Sequence, residues 1–473
     1  MVNPLPPIDG DLSRISKLFV DRDAETPEAA LSRRMGFGVT LVCGEDVAAS
    51  YTLQLAVLTA ARIGIRCFPG AVRALVSPTL STATLRLWPG LKLTFGQALA
   101  GVLGAEAIDG AHQGAGRDVV FGAADGGKQA LRVTFDGWIA QVGPTKAAKR
   151  LAERELFPAA GILAAALALS ELFLSFAGVS IEAGRRTIGL SLWRPDLGPD
   201  HPDALGKAVD VLPAAQWILG LGHLGNAYLW ALGTLPYADP SSVDFVLFDF
   251  DQIGSANIET CLLFQSVDVG ARKTRIAAAW LERRGFRTTL VERRLDEVFR
   301  RQADEPGLAF CGFDSNPARR HLASAGFPRV VESGLGAMAH NFDTVSLHAL
   351  PHPRLAAELW PDLDAATMAA LWTEQERAAR ENPGYLAMAK DECGRALLAG
   401  KAVGVPFVGA AAGSFAVAEA VRLLSGGPAY SDLKLRLGIP SARSTVARGD
   451  HRPEDASGIA FSAVRQGWSS ATA

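Results

Sequence analysis

The chain has 473 residues, enough for two or three domains that each bury a hydrophobic core. Hydrophobic residues make up 49% and charged residues 20% of it, a globular composition that excludes a largely disordered chain. The formal net charge of −2 gives no basis for bulk electrostatic binding to nucleic acid or anionic lipid. Five cysteines without a C-x-x-C pair argue against a disulfide framework and against a four-cysteine zinc site. From the charge and the cysteines together, we expect a cytoplasmic protein that binds neither zinc nor nucleic acid.

The first part of the chain predicts an N-terminal arm at 1–24 and a degenerate α/β domain at 25–200. In that domain a turn joins an apolar strand to a helix with regular apolar spacing. The second strand of this unit ends at Phe68 without an acid after it. The predicted elements are strands at 39–43, 64–68, 119–121 and 132–135, and a helix at 51–63.

The segment at 156–176 is long and apolar enough to resemble a membrane span. It contains Pro158, Ser170 and Glu171, and an acid near the middle of a span is costly in a bilayer. We therefore expect a buried helix of an α/β domain and no contact with a membrane.

A second apolar segment repeats the pattern of the first. FPAAGILAAALALSELFLSFAG at 157–178 resembles VPFVGAAAGSFAVAEAVRLLSG at 405–426, without a gap. The matching positions are Pro158 and Pro406, Gly161 and Gly409, Glu171 and Glu419, and Gly178 and Gly426. A fixed Pro–Gly–Glu–Gly frame predicts two copies of one α/β fold, separated by a Pro/Asp/Gly linker at 194–202.

The central stretch predicts a nucleotide site. A strand at 217–221 runs into the GxGxxG turn of Gly220, Gly222 and Gly225, followed by a helix at 224–235 and a strand at 243–248 that ends at Asp249. Such a unit brings a phosphate to backbone N–H groups at a helix N-terminus, and the acid can hold a ribose hydroxyl. A GxGxxG turn alone more often binds NAD(P) or FAD, so an NAD(P)-dependent oxidoreductase is an alternative.

The second α/β domain is predicted at 205–440, with a charged helical insertion at 351–400 and a flexible polar tail at 441–473. Its remaining predicted elements are a helix at 269–281 and strands at 288–292, 309–313, 329–332 and 344–349. The insertion is predicted to contain a long helix at 355–379.

Several polar residues follow the glycine turn: Asp249, Asp251, Asn257, Lys273 and Asp314. Asp314 follows a buried strand, which in a doubly wound sheet puts it at the ligand-binding edge. A nucleoside triphosphate with Mg²⁺ needs such a set, with one acid for the ribose, a lysine for the phosphates and another acid for the metal. Hydride transfer needs neither the lysine nor the metal.

Together these motifs resemble the ThiF/MoeB superfamily, to which the ubiquitin-activating enzymes belong. The resemblance rests on the glycine turn, the DFD at 249–251, Asn257, Lys273, Asp314 with Arg319, and the PFVG helix that ends in E-A at 406–420. It covers about half of the chain strongly and the first copy weakly. Within the superfamily the chain is most similar to the activating enzymes of bacterial ubiquitin-like (Bil-type) antiphage defence operons.

The resemblance implies two tandem Rossmann-like, ThiF-type adenylation folds, the first degenerate and inactive. It also implies adenylation, with ATP and Mg²⁺, of the C-terminal carboxylate of a ubiquitin-like modifier, and transfer through a thioester to a conjugating enzyme. Asp249 would then hold the ribose, Lys273 the phosphates and Asp314 the Mg²⁺, while Asn257 supports the phosphate loop. The two copies would form an intramolecular pseudo-dimer, or the chain a homodimer.

The chain departs from the family at one cation. The family has an arginine three residues after the asparagine, where this chain has Thr260. The family also uses an arginine from the partner half, near its N-terminus. The candidates here are Arg14, Arg22, Arg33 and Arg34, and the sequence does not choose among them.

The resemblance also implies a catalytic cysteine on the crossover at 351–400, where Cys393 is the match. Lys390, Arg395 and Lys401 are close in sequence and would stabilise a thiolate. Two further alternatives remain beside the oxidoreductase. One is a sulfur-carrier-protein adenylyltransferase that forms no conjugate, and the other is a non-catalytic nucleotide-binding scaffold, suggested by Thr260.

Overall fold

The structure, a computed structural model, describes residues 12–109, 116–448 and 456–469. Within them the chain forms α/β architecture with two mixed, largely parallel sheets and a separate two-stranded ribbon. We call the part built on the first sheet the first lobe (12–204) and the part built on the second sheet the second lobe (211–448). The predicted arm and tail fall partly outside the described residues.

The strands are β1 Gly38–Cys43, β2 Ala71–Leu75, β3 Ile108–Asp109, β4 Arg117–Phe121, β5 Leu131–Asp136, β6 Ile139–Pro144, β7 Ile188–Ser191, β8 Val211–Pro213, β9 Ala215–Leu219, β10 Asp244–Phe248, β11 Arg287–Val291, β12 Leu308–Cys311, β13 Arg329–Leu335, β14 Thr344–Leu350, β15 Tyr430–Arg436, β16 Ile439–Ala447 and β17 Phe461–Ala463. The α-helices are α1 Lys17–Asp23, α2 Pro27–Met35, α3 Tyr51–Cys67, α4 Pro78–Thr82, α5 Phe95–Leu103, α6 Ala159–Phe176, α7 His223–Gly233, α8 Ser255–Thr260, α9 Lys273–Glu282, α10 Asn316–Arg320, α11 Ala356–Leu359, α12 Ala365–Glu381, α13 Pro383–Leu386, α14 Glu392–Ala399 and α15 Pro406–Leu424.

The two sheets repeat one strand order. The first is β3-β2-β1-β4-β5-β6-β7 and the second is β11-β10-β9-β12-β13-β14-β15-β16. In both, the first five strands pair in parallel and the following strands pair antiparallel. The shared order is what a duplicated α/β fold produces, and β16 is an additional edge strand of the second copy.

The repeated helices α6 and α15 are almost fully buried and pack against each other. Each contains a buried glutamate with its own arginine: Glu171 accepts from Arg186 at 2.8 Å, and Glu419 is paired with Arg422. Both helices are apolar and long enough to cross a membrane, but 89% and 94% of their apolar windows are buried inside the protein. Burial of this extent is typical of the core helices of a folded domain.

The predicted strand at 64–68 is wrong. Helix α3 continues to Cys67, and the second strand is β2 at Ala71–Leu75. Gly64 therefore lies inside α3, where an added Cβ would meet the Val72 side chain of β2 at 3.0 Å, so the glycine allows a close helix–strand approach. Leu75 is followed by Val76 and Ser77, so the first lobe still has no acid at the end of its second strand.

The prediction of a flexible tail from residue 441 is also wrong for the described part. Strand β16 pairs with β15, and β17 pairs with β8 far earlier in the chain. Edge strands are held mainly by backbone hydrogen bonds, so their exposed polar side chains do not reveal them in the sequence.

The predicted insertion between β14 and α15 contains four helices, α11 to α14. Most of α12 is exposed. The insertion also reaches the first lobe, since Tyr385 donates to Asp21 at 2.5 Å and Asn382 to the Val20 carbonyl at 2.8 Å.

Candidate functional site

A cleft of about 830 Å³ opens at the carboxyl ends of the strands of the second sheet. Leu219 of β9 pairs with Phe248 of β10 and with Cys311 of β12, so the residues after these strands meet at one edge. The cleft is lined by the predicted residues Gly220, Gly222, Asp249, Asp251, Asn257, Lys273 and Asp314. Gly225 and Cys393 are not among its lining residues.

The glycine turn leaves the helix N-terminus accessible. A side chain at Gly222 would meet nothing within 4 Å, and α7 begins at the next residue without a side-chain cap. The first N–H groups of a helix have no partner inside it, which makes them suited to a phosphate. Gly225 has a packing role, because a side chain there would lie 1.9 Å from the Gly220 carbonyl oxygen.

Asp249 holds this turn by hydrogen bonds to backbone N–H groups. Its two carboxylate oxygens accept the backbone N–H groups of Leu221 at 2.6 Å and of Asp251 at 2.7 Å. The side chain is nearly buried, and this burial raises the pKa of Asp249, while the charge of Lys273 opposes the rise. The carboxylate therefore fixes both the glycine turn and the start of the following loop.

Lys273 is the only cation whose described contacts join it to both acids of the DFD motif. Its Nζ lies 2.9 Å from Asp251 Oδ2 and 3.9 Å from Asp249 Oδ2. It is the first residue of α9, not a residue inside a helix at 269–281 as the sequence suggests. A half-exposed Asp251 is a partner that an incoming phosphate can replace.

Asp314 is exposed at the end of β12, and its carboxylate makes no hydrogen bond or ion pair with another described residue. The described residues contain no group of three metal-ligating side chains. Mg²⁺ commonly binds through one or two carboxylates together with substrate phosphates. An unpartnered carboxylate that lines a cleft of this volume, with Asp251 in the same lining, fits that kind of binding.

Arg319, quoted with Asp314 in the sequence motif, also lines the cleft. Its Nε donates to the Phe313 carbonyl at 2.8 Å and lies 3.0 Å from Glu332 Oε1, so the contact with Glu332 is an ion pair and not a second hydrogen bond. Glu332 is buried, and its other oxygen lies 2.7 Å from His348 Nδ1. The Arg319 side chain is therefore held in place by Glu332 of β13.

The structure separates the four candidate arginines. Arg14 lines the cleft together with Thr260, and its Nη1 donates to the Ala402 carbonyl at 3.0 Å. Arg22 and Arg33 instead donate to the Ala177 carbonyl. The fourth candidate, Arg34, is buried and donates to Ser13 and Ser16.

The cysteines differ sharply in exposure. Four of them are partly or fully buried, and burial raises the pKa of Cys67 to about 12 and of Cys261 to about 11, and those of Cys43 and Cys311 further. Cys393 is exposed, as the second residue of α14.

Arg395 on the same helix, predicted to stabilise a thiolate, donates to the backbone carbonyls of Ala379 and Lys390. The chain from α14 runs directly into 402–404, which line the cleft.

Family models identify the chain. The BilD N-terminal domain matches residues 38–192 and the BilD C-terminal domain matches residues 212–427. The chain is 37% identical over 432 residues to the bacterial E1-like protein BilD of Collimonas sp. (strain OK412), an alignment that covers 89% of this chain and 90% of the relative. The chain belongs to the BilD family of bacterial E1-like proteins. The family predicted from the motifs is thereby confirmed.

Solved structures give more distant likenesses to this BilD family member. E. coli MccB aligns over 51% of this chain and 63% of its own, with 15% identity and a TM-score of 0.35, and its ATP complex with 14% identity and a TM-score of 0.33. E. coli TcdA, a tRNA N6-threonylcarbamoyladenosine dehydratase, aligns over 45% of this chain and 86% of its own, with 17% identity and a TM-score of 0.29. Scores at this level assign no residue roles. The chain spans less than two thirds of the MccB chain.

Some residues of the site were missed from sequence. Arg294 belongs to none of the motifs, yet it lines the cleft and its guanidinium lies 4.4 Å from the centre of the Phe250 ring. Arg294 lies three residues after the end of β11, the strand beside β10, and this position near a strand end is a signal that could have been used. Glu259 and Glu332 act through contacts with residues distant in the chain, which no local pattern indicates.

Proposed function

We propose that this BilD family member activates the C-terminal carboxylate of a ubiquitin-like protein by ATP-dependent adenylation and then takes the acyl group onto Cys393 as a thioester. The observation that supports adenylation is a single cleft that combines an open glycine turn, Lys273 and the unpartnered carboxylate of Asp314. A hydride-transfer enzyme would have no use for the lysine or for the free carboxylate.

In the first step a carboxylate oxygen of the modifier attacks the α-phosphorus of ATP, and the bond from that phosphorus to the pyrophosphate oxygen breaks. The N–H groups at the start of α7 hold phosphate oxygens, and Lys273 moves from Asp251 to the phosphates. Asp314 would hold Mg²⁺, whose charge would neutralise the phosphates. The chain's own contribution is in-line positioning and charge neutralisation, with Asp249 keeping the turn in shape.

In the second step the Cys393 thiolate attacks the acyl carbonyl, forming a thioester and releasing AMP. The exposure of this thiol favours the role, because a transfer cysteine must be reached by the modifier and by the next enzyme. Since Cys393 does not line the cleft, the acyl group and α14 must approach each other between the two steps. The acceptor we propose is a ubiquitin-conjugating-like enzyme, in a cytoplasmic conjugation pathway of antiphage defence.

The test is ATP–pyrophosphate exchange with purified chain, Mg²⁺ and candidate ubiquitin-like proteins encoded by neighbouring genes. Exchange that depends on one of these proteins and on its free C-terminal carboxylate is expected. ATP binding without exchange would contradict adenylation and favour a nucleotide-binding scaffold. Binding of reduced nicotinamide without ATP binding would favour an oxidoreductase.

Arg14→Ala is expected to lower the exchange rate about 10²-fold, the loss typical of removing one charge-stabilising donor from an active site. The reason is that Arg14 lines the cleft beside Thr260, where the family has a cation from within the same lobe. Arg33→Ala is the matched control, since Arg33 pairs with Asp23 and Glu25 away from the cleft. Equal losses in both variants would show that Arg14 has no special role.

A further inference from the structure

We propose that Glu259 is a positioning residue that ties the N-terminal segment, residues 12–16 of the first lobe, to helix α8 of the second lobe and thereby delivers Arg14 to the cleft. The inference rests on the adenylation proposed above. It explains how a chain with Thr260 in place of an arginine can still present a cation at this wall of the cleft.

Both carboxylate oxygens of Glu259 are used by the first lobe. Oε1 accepts the Ser13 hydroxyl at 2.7 Å and lies 3.4 Å from Arg34 Nη1. Oε2 accepts the backbone N–H of Arg14 at 2.9 Å. Glu259 is 8% exposed, and a nearly buried carboxylate is costly unless it is hydrogen-bonded and paired. All of these partners come from residues 13–34, so the stabilisation of this charge depends on the first lobe.

Two further arginines of the first lobe hold the backbone that follows α8. On α3, Arg62 donates to the Leu262 carbonyl at 2.9 Å and Arg66 donates to the Phe264 carbonyl at 2.9 Å. Arg34 in turn donates to the Arg66 carbonyl at 2.8 Å, which joins these contacts to those of Glu259. The first lobe, which lacks an acid at its own second strand, thus holds the segment of the second lobe that directly follows α8.

The position of Glu259 on α8 connects its contacts with the first lobe to the cleft. Asn257 and Thr260 of the same short helix line the cleft, whereas Glu259 between them contacts the first lobe. The backbone of Arg14 is held on its other side by the Gly404 N–H, which donates to the Arg14 carbonyl at 3.3 Å. A side chain at Gly404 would lie 2.9 Å from Thr260 Cγ2 and 3.8 Å from Arg14 Cβ, so Arg14 and Thr260 flank the same backbone.

The experiment is a double-mutant cycle on modifier-dependent ATP–pyrophosphate exchange, with Arg14→Ala, Glu259→Gln and the two combined. Glu259→Gln keeps the shape of the side chain but removes its charge and one acceptor oxygen. We expect it to lower kcat at least about 10-fold, with the double variant no slower than Arg14→Ala alone, because contacting residues of one network are not additive. If Glu259→Gln acted only by destabilising the fold, the fold-losses in kcat of the two single variants would multiply in the double variant.

Glu171→Gln is the matched control, because Glu171 is also buried and paired with an arginine but neither lines the cleft nor contacts α8. Each variant's thermal unfolding midpoint is measured alongside, so that exchange is compared between folded proteins. If Glu259→Gln exchanges at the wild-type rate, or if the losses of the two single variants multiply in the double variant, the positioning role of Glu259 is refuted. The proposed adenylation would be unaffected by either result. Absence of exchange in the wild type would instead refute the proposed function itself.

Discussion

Asp314→Asn is expected to lower ATP–pyrophosphate exchange by about 10²-fold or more, and to raise the Mg²⁺ concentration needed for half-maximal rate. The amide keeps the size of the carboxylate but loses the charge that a hard divalent cation prefers. Since the Asp314 carboxylate contacts no other described residue, its loss is expected to leave thermal stability nearly unchanged. Exchange measured across a Mg²⁺ titration, beside thermal unfolding, separates the two effects.

Asp304→Asn is the control for this prediction. Asp304 is an exposed acid outside the cleft lining, so its replacement changes the net charge equally without touching the site. A normal exchange rate with an unchanged Mg²⁺ requirement in Asp314→Asn would remove the metal role from this residue. It would leave Asp251, the other exposed acid of the cleft, as the residue to test next.

The parts of the site that could be predicted from sequence follow from strand ends. Gly220, Asp249 and Asp314 each follow a buried parallel strand closely, and parallel strands in register bring their carboxyl ends together. The register of β9 with β10 and β12 therefore converts spacing along the chain into proximity in space. The duplication was predictable for a different reason, because the repeated helices α6 and α15 preserve a fixed frame of residues, whereas the strand order that the two copies share comes from the structure.

What could not be predicted depends on contacts between distant parts of the chain. No sequence pattern near Arg14 distinguishes it from Arg33. What places Arg14 at the cleft is the pair of hydrogen bonds between its backbone and Glu259 and Gly404 of the second lobe. The error at 64–68 has a different origin, because an apolar stretch beginning with glycine fits the end of a helix as well as a strand. Exposed edge strands such as β16 have too few buried side chains to show a pattern.

Cys393→Ala is expected to abolish a thiol-labile conjugate between the chain and its ubiquitin-like protein while leaving ATP–pyrophosphate exchange intact. The reason is geometric, because Cys393 does not line the cleft in which adenylation would take place. The measurement is a non-reducing gel of the reaction with ATP, Mg²⁺ and modifier, with and without added thiol, beside the exchange assay. The exchange assay reports formation of the acyl-adenylate, and the gel reports the thioester formed from it.

Cys261→Ala is the informative control, because Cys261 directly follows α8, whose residues Asn257 and Thr260 line the cleft, and is fully buried. Burial raises the pKa of its thiol to about 11, so at neutral pH it is protonated and a poor nucleophile. A conjugate that persists in Cys393→Ala but disappears in Cys261→Ala would assign the thioester to Cys261 and require α8 to move so that the thiol becomes accessible. If neither variant loses a conjugate because none forms in the wild type, while exchange proceeds, the chain is an adenylyltransferase without a transfer cysteine. That outcome matches activation of a sulfur carrier, and it would make the exposed thiol on α14 an ordinary surface residue.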